Sequence, residues 1–184
     1  MKEVILGLDV STSKVGLSIL DYNNNLISCQ VIKLNSKDSL CKRCSEIENI
    51  INKINGLNYI NNNNKLYIKE VFIESPFMMF SGGKTTAMTM AKLQRFNGMV
   101  SYMIRRELGM EPKMIAANKA RGLVGLKVKR GENTKLKVIE WVEQEYPEDF
   151  IVEYTRHGNP KPGTDDKADS VVIARAGLVS NAGV

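Results

Sequence analysis

Val4-Ile5-Leu6-Gly7-Leu8-Asp9-Val10-Ser11-Thr12-Ser13 is an apolar run that carries one acid and closes on three hydroxyl residues. The β-branched and aliphatic residues from Val4 to Val10 predict a buried strand, and Ser11 to Ser13 a polar turn. Val15 to Leu20 predicts a second strand directly after it. Asp21-Tyr22-Asn23-Asn24-Asn25 reads as a turn, because Asn tolerates left-handed backbone angles. Leu26 to Leu34 then reads as a third strand. Three strands joined by tight polar turns make an antiparallel meander.

Further along, Ser36 to Ile54 reads as a helix capped by Ser36 or Ser39, with Leu40, Ile47, Ile50, Ile51 and Ile54 at helical spacing. Asn58 to Asn64 is Asn-rich and reads as a solvated loop. Leu66 to Glu74 predicts a fourth strand, ended by Ser75-Pro76. Gly82-Gly83 is a break before a long helix, about Lys84 to Leu108, which Gly109 ends. Lys113 to Ala116 predicts a short fifth strand. Asn118 to Val124 and Thr134 to Glu145 read as helices, the latter with Trp141 towards the core. Asp149 to His157 fits no element clearly, and Asp165 to Val179 reads as a final helix. This order predicts an α/β protein with a mixed sheet flanked by helices, a single domain over 1–184.

The chain has 184 residues, enough for one sizeable core and short for two. No apolar run reaches the roughly 18 residues of a membrane span, so no membrane partner is expected. The N-terminal apolar stretch is short, carries an early acid and runs into a polar turn, unlike a signal peptide. A cytoplasmic location is therefore expected. Cys29, Cys41 and Cys44 form no even framework, which argues for reduced thiols. Cys41 and Cys44 make one CxxC, half a zinc site at best, with no second pair after it. The net charge of +6 suits a polyanionic partner, nucleic acid or an acidic membrane surface.

Chemistry is suggested by four carboxylates. Asp9 ends an apolar strand, where an acid is costly to bury without a partner. Its plainer reading is a strand-end Asp that caps the Ser11–Ser13 turn. Glu74 repeats the pattern after Val71-Phe72-Ile73, and its plainer reading is a solvated strand end. Asp166 and Asp169, three apart, share a face of the last helix. Helix-dipole compensation explains Asp165 and Asp166 well, and Asp169 less well. If the first and fourth strands are neighbours, Asp9 and Glu74 converge, and Asp166 and Asp169 complete a cluster that needs positive charge. Hard oxygen donors at that density suit Mg²⁺ or Mn²⁺. Two such ions roughly 3.5–4 Å apart are a common device for in-line attack of water on a phosphodiester.

Gly7-Leu8-Asp9-Val10-Ser11-Thr12-Ser13, then Phe72-Ile73-Glu74, then Asp166-Lys167-Ala168-Asp169-Ser170 opening a terminal helix resemble, in that order, the RuvC-like Holliday-junction resolvases of the RNase H-like superfamily. The resemblance implies an RNase H-like fold with a mixed five-stranded sheet, and a homodimer that nicks opposing strands of a branched DNA junction. It implies Asp9, Glu74, Asp166 and Asp169 as catalytic residues and ligands of two Mg²⁺ or Mn²⁺ per active site. Asp165 replaces Asp166 if the helix register shifts by one. Phe77 matches the family aromatic that stacks on a base; packing with Met78, Met79 and Phe80 is the alternative. Lys135 matches a lysine near the scissile phosphate, and Lys119 or Arg121 a second one.

The stretch with Lys119, Arg121, Lys127, Lys129, Arg130, Lys135 and Lys137, opposed by Glu132 alone, reads as a DNA-binding set of phosphate contacts or as a solvated face. Ala87, Met88, Met90, Ala91, Phe96, Met99 and Met103 give the long helix more apolar surface than one core face needs, which suits a dimer. His157 lies in a Gly/Pro-rich loop, where the resemblance to RNase H-like enzymes implies an aid to product release and the plainer reading is an incidental loop histidine. Rival readings are a nuclease for flaps, forks or RNA–DNA hybrids, a DNA-binding module without catalysis, and an actin-like phosphotransferase. The last lacks a second phosphate-binding turn, since Ser81-Gly82-Gly83-Lys84-Thr85 has no leading Gly.

Overall fold

The computed structural model describes residues 2–55, 60–61, 64–76 and 86–182. The meander is present as β1 (Lys2–Val10), β2 (Lys14–Asp21) and β3 (Leu26–Lys33), paired antiparallel in sequence order. Asn24 takes the left-handed conformation expected in the second turn, with φ 65°. After α1 (Leu40–Asn55), the strand β5 (Asn64–Glu74) returns parallel to β1. A two-residue strand, β4 (Ile60–Asn61), pairs antiparallel with the start of β5, so the described part of the Asn-rich stretch is paired strand rather than loop. Following α2 (Ala87–Leu108), β6 (Lys113–Ile115) adds in parallel to the end of β5. The sheet therefore runs β3-β2-β1-β5-β6, five strands of mixed direction, with β4 at the foot of β5. The helices α3 (Ala117–Leu123), α4 (Thr134–Glu145) and α5 (Thr164–Ala182) complete the chain.

Helix ends depart slightly from the sequence reading, each for a local reason. Ser39 rather than Ser36 caps α1, its hydroxyl accepting the Lys42 N–H at 3.3 Å. Among the described residues α2 begins at Ala87, capped by Thr86, whose hydroxyl accepts the Thr89 N–H; Lys84, where the sequence reading starts the helix, lies outside them. It ends where expected, on Gly109 at φ 68°. The uncertain stretch before α5 forms a small hairpin, closed by a bridge between Tyr154 and Pro160. Among the described residues no helix is long and apolar enough to cross a membrane.

Strand alternation sorts the side chains onto two cores. Leu6 and Leu8 of β1 and Leu17 and Ile19 of β2 face α1 and α2, against Ile47, Ile51, Phe96 and Val100. Ile5, Leu20 and Phe72 face the other way, against Val138, Val142, Val171 and Val172 of α4 and α5. The α5 face carries glycine where the helix crosses the strands. A Cβ at Gly7 would stand 2.2 Å from the Ser170 carbonyl oxygen, and one at Gly16 1.9 Å from that of Asp166. Both glycines let α5 lie directly on β1 and β2, where the Ser18 hydroxyl donates to the Ser170 carbonyl at 2.7 Å. Gly16→Ala must push out the helix turn that carries Asp166. Overpacking of this kind costs about 1–3 kcal/mol, so thermal melting of Gly16→Ala is expected about 3–10 °C below the parent. An unchanged melting temperature would show that α5 does not seat on Gly16.

α1 is tied to the turn that follows β1. Arg43 is buried, and its guanidinium donates to three backbone carbonyls: Thr12 at 2.6 Å, Ser36 at 2.5 Å and Asp38 at 3.0 Å. A buried charge is tolerated when its donors are satisfied. Here it fixes the Ser11–Ser13 turn from behind.

Candidate active site

Asp9 is the penultimate residue of β1 and Glu74 the last of β5. Leu8 and Ile73 are parallel partners, so the two acids leave neighbouring strand ends side by side. They share a face because of an irregularity in β5. The β1–β5 register shifts between Val4 and Ile5, whose partners are Ile68 and Glu70. Leu66 and Ile68 before the shift, and Val71 and Ile73 after it, all lie in the α1/α2 core. The extra residue reverses the parity of the strand, which is what a β-bulge does to side-chain aim. Without it Glu74 would point at α1 and α2; with it Glu74 joins Asp9 on the α5 side.

α5 brings its first turns over the same point, with Asp165 and Asp166 at its start and Asp169 one turn on. Burial pushes the Asp9 carboxyl up to about 8, and the negative charges of Glu74, Asp169, Asp166 and Asp165 add to it. Glu74 is pushed up to about 7 by burial and by Asp169, against the pull of the Arg121 guanidinium. Asp169 is pushed up to about 6, again by burial first, with Arg121 and Lys135 opposing and Asp165 and Asp166 adding repulsion. Burial acts on Asp165 too, but hydrogen bonding to Lys135 (Nζ to Oδ2, 2.5 Å) holds its carboxyl below the usual range. Asp166 is paired with the Lys14 ammonium, also at 2.5 Å.

Asp9 does not cap the turn after it. Ser11 closes that turn, its hydroxyl accepting the Lys14 N–H at 3.1 Å and donating to the Lys14 carbonyl at 2.8 Å. The side-chain carboxylates of Asp9, Glu74 and Asp169 make no hydrogen bond or ion pair among the described residues. Three half-buried carboxylates that repel one another and lack partners are a donor set suited to a hard divalent cation. Among the described residues no three acid, His or Cys side chains are gathered closely enough to cage an ion as they stand, and Asp165 and Asp166 are held by lysines. The chemistry of the set fits a hard divalent cation, and two of the neighbouring carboxylates stand against lysines of the chain itself.

Basic residues flank the cluster on one side. Lys119, Lys127, Lys129 and Arg130 are exposed. Arg121 and Asn118 are hydrogen-bonded, and together with Lys129, Arg130 and Thr134 they line an open groove of about 610 Å³. Lys135 opens α4 with 71% of its side chain exposed while reaching Asp165. Lys137 is turned to acids of its own neighbourhood, Glu140 at 2.8 Å and Glu132 at 4.0 Å. His157 sits on the exposed hairpin, its Nε2 accepting from Arg156 at 2.9 Å. The Cys41–Cys44 pair joins no metal-binding group among the described residues. Phe77, with Met78 to Phe80 and the Gly82-Gly83 break, lies outside the described residues.

Four features of the site were not read from the sequence: Lys14, the two glycines under α5, Arg43 and the bulge. The bulge had a signal. The apolar positions Leu66, Ile68, Val71 and Ile73 skip from a spacing of two to one of three.

No family model matches the chain, and no curated protein matches it in sequence. Among solved structures it is similar to RuvC of Thermus thermophilus in complex with a Holliday junction substrate. The TM-score is 0.66 at 15% identity, with 98% of this chain and 96% of that one covered. A second Thermus thermophilus RuvC structure gives 0.61 at 16% identity over the same shares. The chain thus has an RNase H-like fold, with its mixed five-stranded sheet between layers of helices. Within that class the architecture is RuvC-like over nearly its whole length.

Proposed function

We propose that this chain is a divalent-ion-dependent endonuclease that resolves four-way DNA junctions by paired nicks, a crossover junction endodeoxyribonuclease of recombination and repair. The observation that carries this reading is the convergence of Asp9, Glu74, Asp166 and Asp169 at one end of the sheet, three of them without a partner among the described residues. The fold, like that of a RuvC bound to a Holliday junction, supports it.

Asp9, Glu74, Asp166 and Asp169 are the catalytic residues, and their carboxylates hold two Mg²⁺ or Mn²⁺. The ions, when bound, supply an activated water and charge stabilisation at the leaving oxygen. Arg121 and Lys135 border the cluster and hold the scissile phosphate. Lys119, Lys127, Lys129 and Arg130 carry the backbone of a DNA arm, with Lys137 a lesser contributor because of its acid partners. Phe77 stacks on a base at the junction centre. The domain extends over 1–184 and acts as a homodimer. The exposed start of α2, where Met88 is 82% exposed, provides apolar surface for pairing.

The test is incubation with an immobile four-way junction and Mg²⁺ beside linear duplex, flap and RNA–DNA hybrid. Symmetric paired nicks on the junction alone support the reading. Equal cleavage of flaps or hybrids would keep the nuclease and remove the junction. No cleavage in Mg²⁺ or Mn²⁺ would remove both. Phosphate contacts also have a salt signature. Exchanging Lys129 and Arg130 together for Ala is expected to weaken junction binding at low salt about tenfold or more. It should also reduce the slope of log affinity against log salt by about two. An unchanged slope would take the α3–α4 loop off the DNA path.

A further inference from the structure

Lys14 opens β2 on the same face as Gly16 and Ser18, the face that α5 covers. Its ammonium stands 2.5 Å from Asp166 Oδ2, with 33% of the lysine side chain and 13% of the aspartate exposed. The lysine is anchored at its base by the Ser11 turn, which Arg43 in turn fastens through the Thr12 carbonyl. Lys33 of β3 is the cross-strand partner of Lys14. Directly opposed residues share a sheet face, and like charges there repel. Lys33 is exposed and has no acid partner among the described residues. Lys14 thus leans on one carboxylate of the cluster with a second ammonium behind it.

We propose that Lys14 is a positioning residue that occupies Asp166 in the ion-free protein, yields it when a divalent ion binds, and then holds a backbone phosphate of the DNA together with Lys33. The inference rests on the nuclease reading and deepens it. Asp166 is engaged by a cation of the chain itself, beside three carboxylates that form no ion pair among the described residues. An ammonium and a divalent ion compete for the same oxygen. Once displaced, Lys14 and Lys33 form a pair of cations beside the cluster, on the β2–β3 side, away from the groove of Arg121, Lys129 and Arg130. Two cationic banks with the acids between them match a DNA backbone that passes through the site rather than ending at it.

The test measures Mn²⁺ binding by titration calorimetry on the DNA-free protein, and junction binding with Ca²⁺ in place of Mg²⁺. Lys14→Met is expected to bind Mn²⁺ about three- to tenfold more tightly than the parent, because a competing cation is gone. Lys14→Arg is expected to restore the parental Mn²⁺ affinity. Junction binding by Lys14→Met in Ca²⁺ is expected to weaken several-fold, with the salt slope falling by about one. Should Lys14→Met fail to fold, Lys14→Gln carries the same expectations. Equal or weaker Mn²⁺ binding by the neutral variant would overturn the proposal, as would full junction affinity. A parent protein that binds no Mn²⁺ at all would instead overturn the nuclease reading beneath it.

Discussion

Asp9→Asn is expected to abolish DNA cleavage while making the ion-free protein more stable. The two effects share one cause. Asp9 is half-buried, lacks a partner among the described residues, and has its carboxyl pushed up to about 8 by burial and then by Glu74, Asp169, Asp166 and Asp165. Near pH 8 the folded protein carries much of that charge at a cost. Asn has the same shape without the charge, so the exchange relieves the repulsion on Glu74 and Asp169 too. Each tenfold shift in proton affinity corresponds to about 1.4 kcal/mol. A gain of about 1–3 kcal/mol near pH 8, or several degrees in melting temperature, is the expected scale. Cleavage should fall about a thousandfold or more, since the ions lose a central ligand. Asp149, exposed and distant in role, serves as control, and Asp149→Asn should change neither. An Asp9→Asn protein that is less stable than the parent would mean that Asp9 is a structural acid whose partner has been overlooked.

The second large effect is a pH dependence that the ion largely cancels. Asp9, Glu74 and Asp169 hold their protons up to about 8, 7 and 6, well above ordinary carboxylates. Between about pH 4 and pH 8 the folded protein therefore binds more protons than the unfolded chain, and stability falls as pH rises through that window. Below about pH 4 both states are protonated and these groups contribute nothing more. There Asp165, Asp21 and Glu70, which lysines hold low, lose their contribution instead. With a chelator present, the melting temperature is expected to drop by about 5 °C or more from pH 5.5 to pH 8. Saturating Mg²⁺ or Mn²⁺ should recover most of the drop at pH 8 and little at pH 5.5, because the ion and the protons compete for the same oxygens. A flat profile, or equal stabilisation at both pH values, would contradict a shared acidic site.

The sequence made the meander legible because its strands are uninterrupted apolar runs with Asn-rich or Ser-rich turns between them. The order of the acids along the chain was also legible. Their meeting was an inference conditional on β1 and β5 being neighbours, and the parallel register supplies that condition. Legibility ended wherever a contact joins distant parts of the chain. Lys14 and Asp166 are 152 residues apart, and neither residue type announces the other. Gly7 and Gly16 look like ordinary strand glycines until α5 is laid on them. The aim of Glu74 depends on one extra residue in β5, visible as a skipped apolar spacing but interpretable only with the partner strand in place. The basic stretch was legible as charge and not as geometry. Lys137 reads like its neighbours in sequence, yet its own helix gives it Glu140.

The most direct test of the central claim is anomalous scattering from crystals of the protein soaked in Mn²⁺. Peaks are expected at the end of β1 and β5, with carboxylate oxygens of Asp9, Glu74, Asp169 and Asp166 about 2.1 Å away, and Asp166 released from Lys14. Manganese bound only elsewhere, with Asp166 still on Lys14 and the three unpaired acids untouched, would contradict it.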